Sequence, residues 1–224
     1  ARVLDRCSPV CARGWLKAAA VYSQQKQIKK ALAELEKGYK KNPDSALILA
    51  ALADQYIKNK DLDAAFKLCQ DRLDKNDKEA FTWNLMGGLY LARKSHEKAK
   101  AAFEKAADIA PDWGKPYDNL ARVYLVQGQK ETAIEKFSSA LDKNPKNKSA
   151  WMILGSIYEK DKAYDQAARV YEKAFKENPT MWPAANNFAF IKSEFADTEA
   201  GLQQAMEYAI KAEQLNPGAG VVLD

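Results

Sequence analysis

The sequence predicts an all-α repeat protein in which pairs of antiparallel helices stack on one another. The composition favours helix over sheet, because Ala, Lys, Leu and Glu are abundant while the 224 residues include only 10 Gly and 8 Pro. Several residue types also recur at a fixed interval of 34 residues. Within each interval, large and small side chains are spaced three and four residues apart, which places them on one face of a helix.

The repeat is visible in four columns of the sequence, each with the same period. Tyrosine forms one column, at Tyr22, Tyr56, Tyr90, Tyr124 and Tyr158. Alanine forms another, at Ala31, Ala65, Ala99, Ala133 and Ala167. A large residue precedes each tyrosine, at Trp15, Leu49, Trp83, Tyr117 and Trp151. Proline occupies the fourth column, at Pro43, Pro111, Pro145 and Pro179, with Asp77 in the vacant place. A period shared by independent columns indicates a stacked-repeat architecture.

The columns set the repeat boundaries. With position 1 at Ala12, the repeats span 12–45, 46–79, 80–113, 114–147, 148–181 and 182–219. In the last repeat Ala205, Ala209 and Pro217 fall four residues late, which predicts a four-residue insertion around 193–198. We expect 1–11 to be the tail of a preceding repeat and 220–224 the start of a following one, as in an internal fragment of a longer array.

Each repeat is predicted to hold two helices that face each other. Positions 4, 7, 8 and 11 form a stripe on the first helix, and positions 20, 24 and 27 form a stripe on the second. Small residues on one stripe meet large residues on the other, and proline at position 32 ends the second helix. One helix pair has too little core to fold alone, so stability comes from stacking neighbours.

The pattern resembles the tetratricopeptide repeat over nearly the whole chain. One of the two repeats that match most fully reads Trp83, Gly87, Tyr90, Ala99, Phe103, Ala106 and Pro111. The resemblance implies a right-handed α-solenoid superhelix whose first helices line the concave side. The stretch from Asn186 to Ala189 is also similar to repeats of bacterial exopolysaccharide-export and related envelope proteins, which implies a bacterial origin.

The resemblance places groove-facing side chains at about positions 2, 5, 6, 9, 12 and 13 of each repeat. The candidates that we single out combine hydrogen-bonding and charged groups with apolar ones. They are Phe81, Asn84, Leu85, Lys115, Asp118, Asn119, Arg122, Met152, Ile153, Ser156, Asn186 and Asn187. The alternative is that these residues form ordinary surface.

Two specialised binding modes of the family are not predicted. The chaperone carboxylate clamp needs Lys at position 5 and Asn at position 9, and no repeat has that pair, so we expect no binding of chaperone C-terminal tails. An asparagine ladder needs Asn at position 6 in successive repeats, whereas only Asn119 and Asn187 occur there.

Sequence motifs for catalysis are absent. No G-x-x-x-x-G-K phosphate loop, G-x-G-x-x-G fingerprint or G-x-S-x-G elbow occurs. His96 is the one histidine and is expected to be exposed in a turn, whereas Cys69 falls in a core column and is expected to be a buried thiol. Cys7 and Cys11 have no second ligand pair for zinc. We therefore expect no enzyme activity, no cofactor and no metal.

The remaining function is binding, and we expect a protein or peptide partner in the concave groove. Self-association through uncapped ends is an alternative. RNA binding is less favoured, because the net charge of +5 is the small difference between 35 basic and 30 acidic residues and most aromatics lie in packing columns. No apolar run approaches the length of a membrane span. The partner's identity and the compartment stay open.

Overall fold

The computed structural model describes residues 9–195 and 198–218, and this part of the chain holds twelve α-helices and no strand. The helices are α1 (Pro9–Gln24), α2 (Ile28–Lys41), α3 (Ala46–Lys58), α4 (Leu62–Leu73), α5 (Ala80–Ala92), α6 (His96–Ile109), α7 (Gly114–Val126), α8 (Lys130–Lys143), α9 (Lys148–Lys160), α10 (Tyr164–Glu177), α11 (Trp182–Phe195) and α12 (Glu199–Leu215). The predicted all-α repeat fold is confirmed.

The chain divides into two compact units between Ile109 and Ala110. In the first unit α1 packs on α2, α3 on α4 and α5 on α6, and the pairs stack through α2 with α3 and α4 with α5. In the second unit α7 packs on α8, α9 on α10 and α11 on α12, with stacking through α8 with α9 and α10 with α11. Helices α3, α5, α7, α9 and α11 begin at residues 46, 80, 114, 148 and 182, at steps of 34 residues.

Glycine lets the two helices of a pair approach closely. A Cβ atom on Gly87 would lie 2.5 Å from the fully buried ring of Phe103, and one on Gly155 would lie 2.3 Å from Tyr171. Both glycines lie at position 8 and both rings at position 24. The small-against-large packing inferred from the columns is therefore the packing at these two positions.

The first helix of each complete pair ends in a left-handed residue at position 15. This residue has a positive φ in five repeats, at Lys26, Lys60, Lys94, Gly128 and Lys162. In the turn after α5 the Ser95 amide donates to the Tyr90 carbonyl (2.9 Å) and the Lys94 amide donates to the Leu91 carbonyl (2.8 Å). This pair of bonds is a Schellman motif, which satisfies carbonyls at the helix end and reverses the chain direction.

A tryptophan at position 4 ties each of two junctions between pairs to the preceding loop. The Trp151 indole N–H donates to the Pro145 carbonyl (2.7 Å), and the Trp83 indole N–H donates to the Asp77 carbonyl (2.7 Å). Asp77 stands where the other repeats have proline, so the backbone carbonyl at this position keeps its partner without the proline ring.

Arg72 bridges the junctions on both sides of the α3–α4 pair. Its guanidinium donates to both carboxylate oxygens of Glu79, and to the backbone carbonyls of Pro43 and Asp44. Thr82 donates its hydroxyl to the same Glu79 carboxylate. The Arg72 side chain is only 11% exposed, so this network stabilises the stack in the first unit where a proline is missing.

The last helix pair is longer than the others. Helix α11 has 14 residues and α12 has 17, against 13 in α9 and 14 in α10. The predicted four-residue insertion around 193–198 stays a prediction. Residues 1–8 and 219–224, which the sequence assigned to neighbouring repeats, lie outside the described residues.

Two expectations about single residues have different outcomes. Cys69 is fully buried, as predicted. His96 was predicted to be exposed in a turn, which is wrong: it is the first residue of α6 and is half-buried, with Nδ1 enclosed.

Candidate partner-binding surface

The predicted groove residues lie on first helices in both units. Phe81, Asn84 and Leu85 lie on α5 of the first unit and are half-buried. The other nine lie on α7, α9 and α11 of the second unit. Because the two units are separate compact bodies, each group is described within its own unit.

In the second unit, two clefts flank the α7–α9 face and share Asp118. The larger one, about 490 Å³, is lined by Asp118, Ala121, Arg122, Leu125, Val126, Ile153, Ser156, Ile157 and Lys160. The smaller one, about 370 Å³, is lined by Asp118, Lys148, Ser149, Met152, Thr180, Met181, Trp182 and Pro183. Five predicted residues are thus brought together here, namely Asp118, Arg122, Met152, Ile153 and Ser156.

Helix α7 supplies the charged side of the larger cleft. Asp118 and Arg122 are exposed, and Lys115 is exposed one turn earlier. Asn119 is buried, with only 8% of its surface exposed, and its Oδ1 accepts a hydrogen bond from Arg122 Nη2 (3.3 Å). Asn119 therefore positions the guanidinium of Arg122 from below the surface.

Helix α9 supplies the apolar floor of the same cleft. Ile153 and Ile157 line it and are buried, and Ser156 beside them is half-buried; Met152, also half-buried, lines the smaller cleft. Ile153 and Asn119 both lie at position 6, which faces the neighbouring first helix, because α7 and α9 contact each other directly. Position 6 is therefore buried on both helices, whereas positions 5 and 9 of α7 are exposed.

Helix α11 places its two asparagines differently. Asn186 Nδ2 donates to Asn187 Oδ1 (3.4 Å), and both residues are half-buried. Tyr171 donates its hydroxyl to Glu159. Burial and the bond to Glu159 raise the pKa of Tyr171, while a hydrogen bond from Asn187 lowers it. Asn187 thus contacts the core tyrosine of α10, and neither asparagine lines the two clefts.

Sequence reasoning missed several lining residues. Val126 and Lys160 both lie at position 13 and face the larger cleft, and Trp182 lines the smaller one. Val126 is 73% exposed, which is unusual for a large aliphatic side chain on a helix. Position 13 is among the groove positions that the resemblance implies, so a signal for Val126 and Lys160 was available, although neither was singled out.

The first unit has a cleft of a different character between α1 and α3. It measures about 570 Å³, and small side chains line much of it, including Ala19, Ala20 and Ala51. The two ionic groups there neutralise each other, because Lys58 Nζ lies 2.6 Å from Asp54 Oδ2. This cleft offers mainly shape and apolar surface.

The described residues offer little for catalysis or metal binding. Burial raises the pKa of the Cys69 thiol to about 12, so the thiol stays protonated at neutral pH. No group of three or more His, Cys, Asp or Glu in the described part of the chain could hold a metal ion. None of the helices described is long and apolar enough to cross a membrane.

Stacked helix pairs, left-handed turn residues and small-against-large packing define a helical-repeat protein. Tetratricopeptide repeat models match residues 12–54, 82–112 and 119–181. The chain belongs to the tetratricopeptide repeat family.

Relatives of known name are similar to parts of the chain. Photosystem I assembly protein Ycf3 of Prochlorococcus marinus (strain NATL2A) is 31% identical over 124 residues, which are 48% of this chain and 72% of that protein. Ycf3 of Synechococcus sp. (strain CC9311) is 36% identical over 89 residues, or 34% of this chain and about half (51%) of that protein. Both relatives are bacterial, and the bacterial origin of this chain stays a prediction.

Among solved structures, PilF of Pseudomonas aeruginosa has a similar fold. The two chains superpose with a TM-score of 0.50 and 20% identity, and the match covers 93% of each. This likeness supports the repeat fold alone.

Proposed function

We propose that the chain is a non-catalytic interaction module that binds a peptide segment of a partner protein on the α7–α9 face. Proteins of this repeat family generally mediate protein–protein interaction. The observation that carries the proposal is the pair of adjacent clefts sharing Asp118, where exposed charges border a floor of Ile153 and Met152. A binding surface usually combines an apolar floor with a small number of polar groups around it.

The relatives support a role of the same kind. The two Ycf3 proteins carry the name of an assembly protein, and assembly requires that one protein hold another. We infer that this chain likewise holds a protein partner, with the modest, roughly micromolar affinity expected when a few contacts carry the binding energy.

The test is a comparison of three versions of the chain, wild type and two variants, in a pull-down from the source cells with quantitative mass spectrometry. Asp118→Ala/Arg122→Ala removes the two exposed charges of α7 that line the larger cleft, and leaves exposed Lys115 and buried Asn119 in place. Asp142→Ala/Lys143→Ala is the matched control, because it removes one acid and one base from the exposed surface of α8. We expect at least one protein that wild type and control retain and the α7 variant loses.

Equal recovery by all three proteins would show that this face is not the binding site. Circular dichroism checks that the helical content of both variants equals that of wild type, so that loss of binding reports the face and not the fold.

A second candidate function is self-association through α12. One face of this helix is exposed and apolar, with Leu202, Met206 and Ile210 at four-residue steps and each about half exposed. An adjacent face, with Ala205, Tyr208 and Ala209, is buried, and α12 packs on α11. An apolar stripe of this length on a helix surface is characteristic of an interface.

A further inference from the structure

Helix α7 presents three exposed side chains of different chemistry on one line. Asp118, Arg122 and Val126 are four residues apart, so they lie on the same face at steps of about 6 Å along the axis. From the start of the helix to its end, this line reads negative, positive, apolar. All three residues border the 490 Å³ cleft.

The charges on this line are available to a ligand. Asp118 and Arg122 form no ion pair with any described residue, and the bond of Arg122 to Asn119 is to a neutral amide. Lys160, on the α9 side of the cleft, likewise has no acidic partner in the described part of the chain. A ligand carboxylate between Arg122 and Lys160 therefore meets two cations that form no ion pair with the described residues of the second unit.

The cleft runs along α7 rather than across it. Its lining residues extend from 118 to 126 on α7 and from 153 to 160 on α9. Because α7 and α9 contact each other, the furrow between them suits one extended strand better than a helix of about 10–12 Å diameter. In an extended strand, residues two apart are separated by about 6.6 Å and point to the same side.

The steps of about 6 Å along α7 match the spacing of about 6.6 Å along an extended strand. We infer that the α7–α9 cleft binds an extended peptide of the pattern cation–x–acid–x–apolar, read in either chain direction. The ligand's basic residue pairs with Asp118, its Asp or Glu lies between Arg122 and Lys160, and its apolar side chain covers Val126. The inference rests on the proposed function and adds a sequence preference to it. The occupant is a segment of a partner protein, recognised by alternating charge.

The charge-exchanged variant Asp118→Arg/Arg122→Asp tests the pattern, because it reverses the order of charges without changing composition or net charge. The probe is a pool of blocked pentapeptides with positions 1, 3 and 5 randomised and Ala at 2 and 4. Full-length wild type and variant are each immobilised, and retained peptides are sequenced by mass spectrometry. Circular dichroism confirms that the variant keeps its helical content.

We expect wild type to enrich cation–acid–apolar peptides about tenfold over their acid–cation–apolar counterparts, in one or both directions, since a like-charge contact costs at least 1.4 kcal/mol. The variant should show the opposite preference. Identical preferences of the two proteins would overturn the pattern and leave the proposed function standing.

A second pool, with three Ala residues between the randomised positions, has the spacing of a helical ligand. Enrichment confined to this pool would overturn the extended-strand inference. If neither pool is retained above bare resin by wild type, both the inference and the α7–α9 face as a peptide site fall.

Discussion

Gly87 and Gly88 are neighbours in α5 with opposite surroundings. A Cβ atom on Gly87 would lie 2.5 Å from the ring of Phe103, whereas one on Gly88 would have no atom within 4 Å. Both changes to alanine gain the same helix propensity, about 1 kcal/mol. We expect Gly88→Ala to stabilise the protein by about that amount, and Gly87→Ala to destabilise it by about 1–3 kcal/mol through overpacking.

Urea unfolding followed by circular dichroism measures the free energy of unfolding of both variants. Since the two positions differ in contact and not in propensity, the difference between the variants isolates the packing of α5 against α6. A Gly87→Ala variant as stable as Gly88→Ala would contradict the small-against-large packing.

At the residue scale, the sequence predicts buried columns better than turn residues. Gly87 and Phe103 could be paired from the repeat alone, because packing requires their sizes to complement each other. The left-handed turn residue could not be predicted, since four of the five such residues are lysines, and lysine has no intrinsic preference for positive φ. Of the five, only Gly128 is a residue type that readily adopts positive φ.

At the scale of helices and their junctions, the Arg72–Glu79 contact has a pH dependence. The hydrogen bond from Arg72 lowers the pKa of Glu79, with a smaller contribution from Thr82 and some opposition from burial. A carboxylate whose pKa is depressed by folding stabilises the protein above its unfolded value, about 4.3, and this stabilisation is lost as the pH falls through the folded value.

We therefore expect Glu79→Gln to lower the free energy of unfolding at pH 7 by about 1.5–3 kcal/mol and to flatten the loss of stability below pH 5. Asp63→Asn is the control: Asp63 pairs with Arg93 but is 90% exposed, so its loss costs about 0–1 kcal/mol. Urea unfolding at a series of pH values measures both. Equal effects of the two changes would show that the Arg72 network adds nothing beyond a surface ion pair.

This network was not predictable, whereas the helices that it joins were. Arg72 lies at position 27, where the other regular repeats have a small residue, and its partners Pro43, Asp44 and Glu79 come from two different loops. The repeat pattern predicts the helices because the residues of each column pack within one helix pair. A bridge between loops requires knowledge of how far apart the pairs stack.

At the scale of the whole molecule, the sequence predicted the face that carries the clefts but not which of its positions are buried. Asp118, Arg122, Met152, Ile153 and Ser156 were all singled out and all border the two clefts. Position 6 was expected to be open and is instead buried, as Asn119 and Ile153 show. Exposure at that position depends on the spacing between neighbouring first helices, which a linear pattern does not contain.

The exposed stripe of α12 predicts self-association. If Leu202, Met206 and Ile210 meet the same stripe of a second copy, the full chain should sediment as a dimer at high concentration and dissociate on dilution. Met206→Arg/Ile210→Arg places two like charges in each stripe and should give a monomer at every concentration. Leu47→Arg is the control, because Leu47 is an exposed apolar residue on α3, 68% exposed, and lies outside the α12 stripe; its change should leave the dimer intact.

Sedimentation velocity over a hundredfold range of concentration distinguishes these outcomes. A wild-type chain that is monomeric throughout, or a dimer that Leu47→Arg disrupts as strongly as the α12 variant does, would exclude α12 as the interface. A dimer lost only in the α12 variant assigns the stripe to self-association. Such a dimer leaves the α7–α9 face free for a partner, because the substituted residues lie on α12 and border neither cleft.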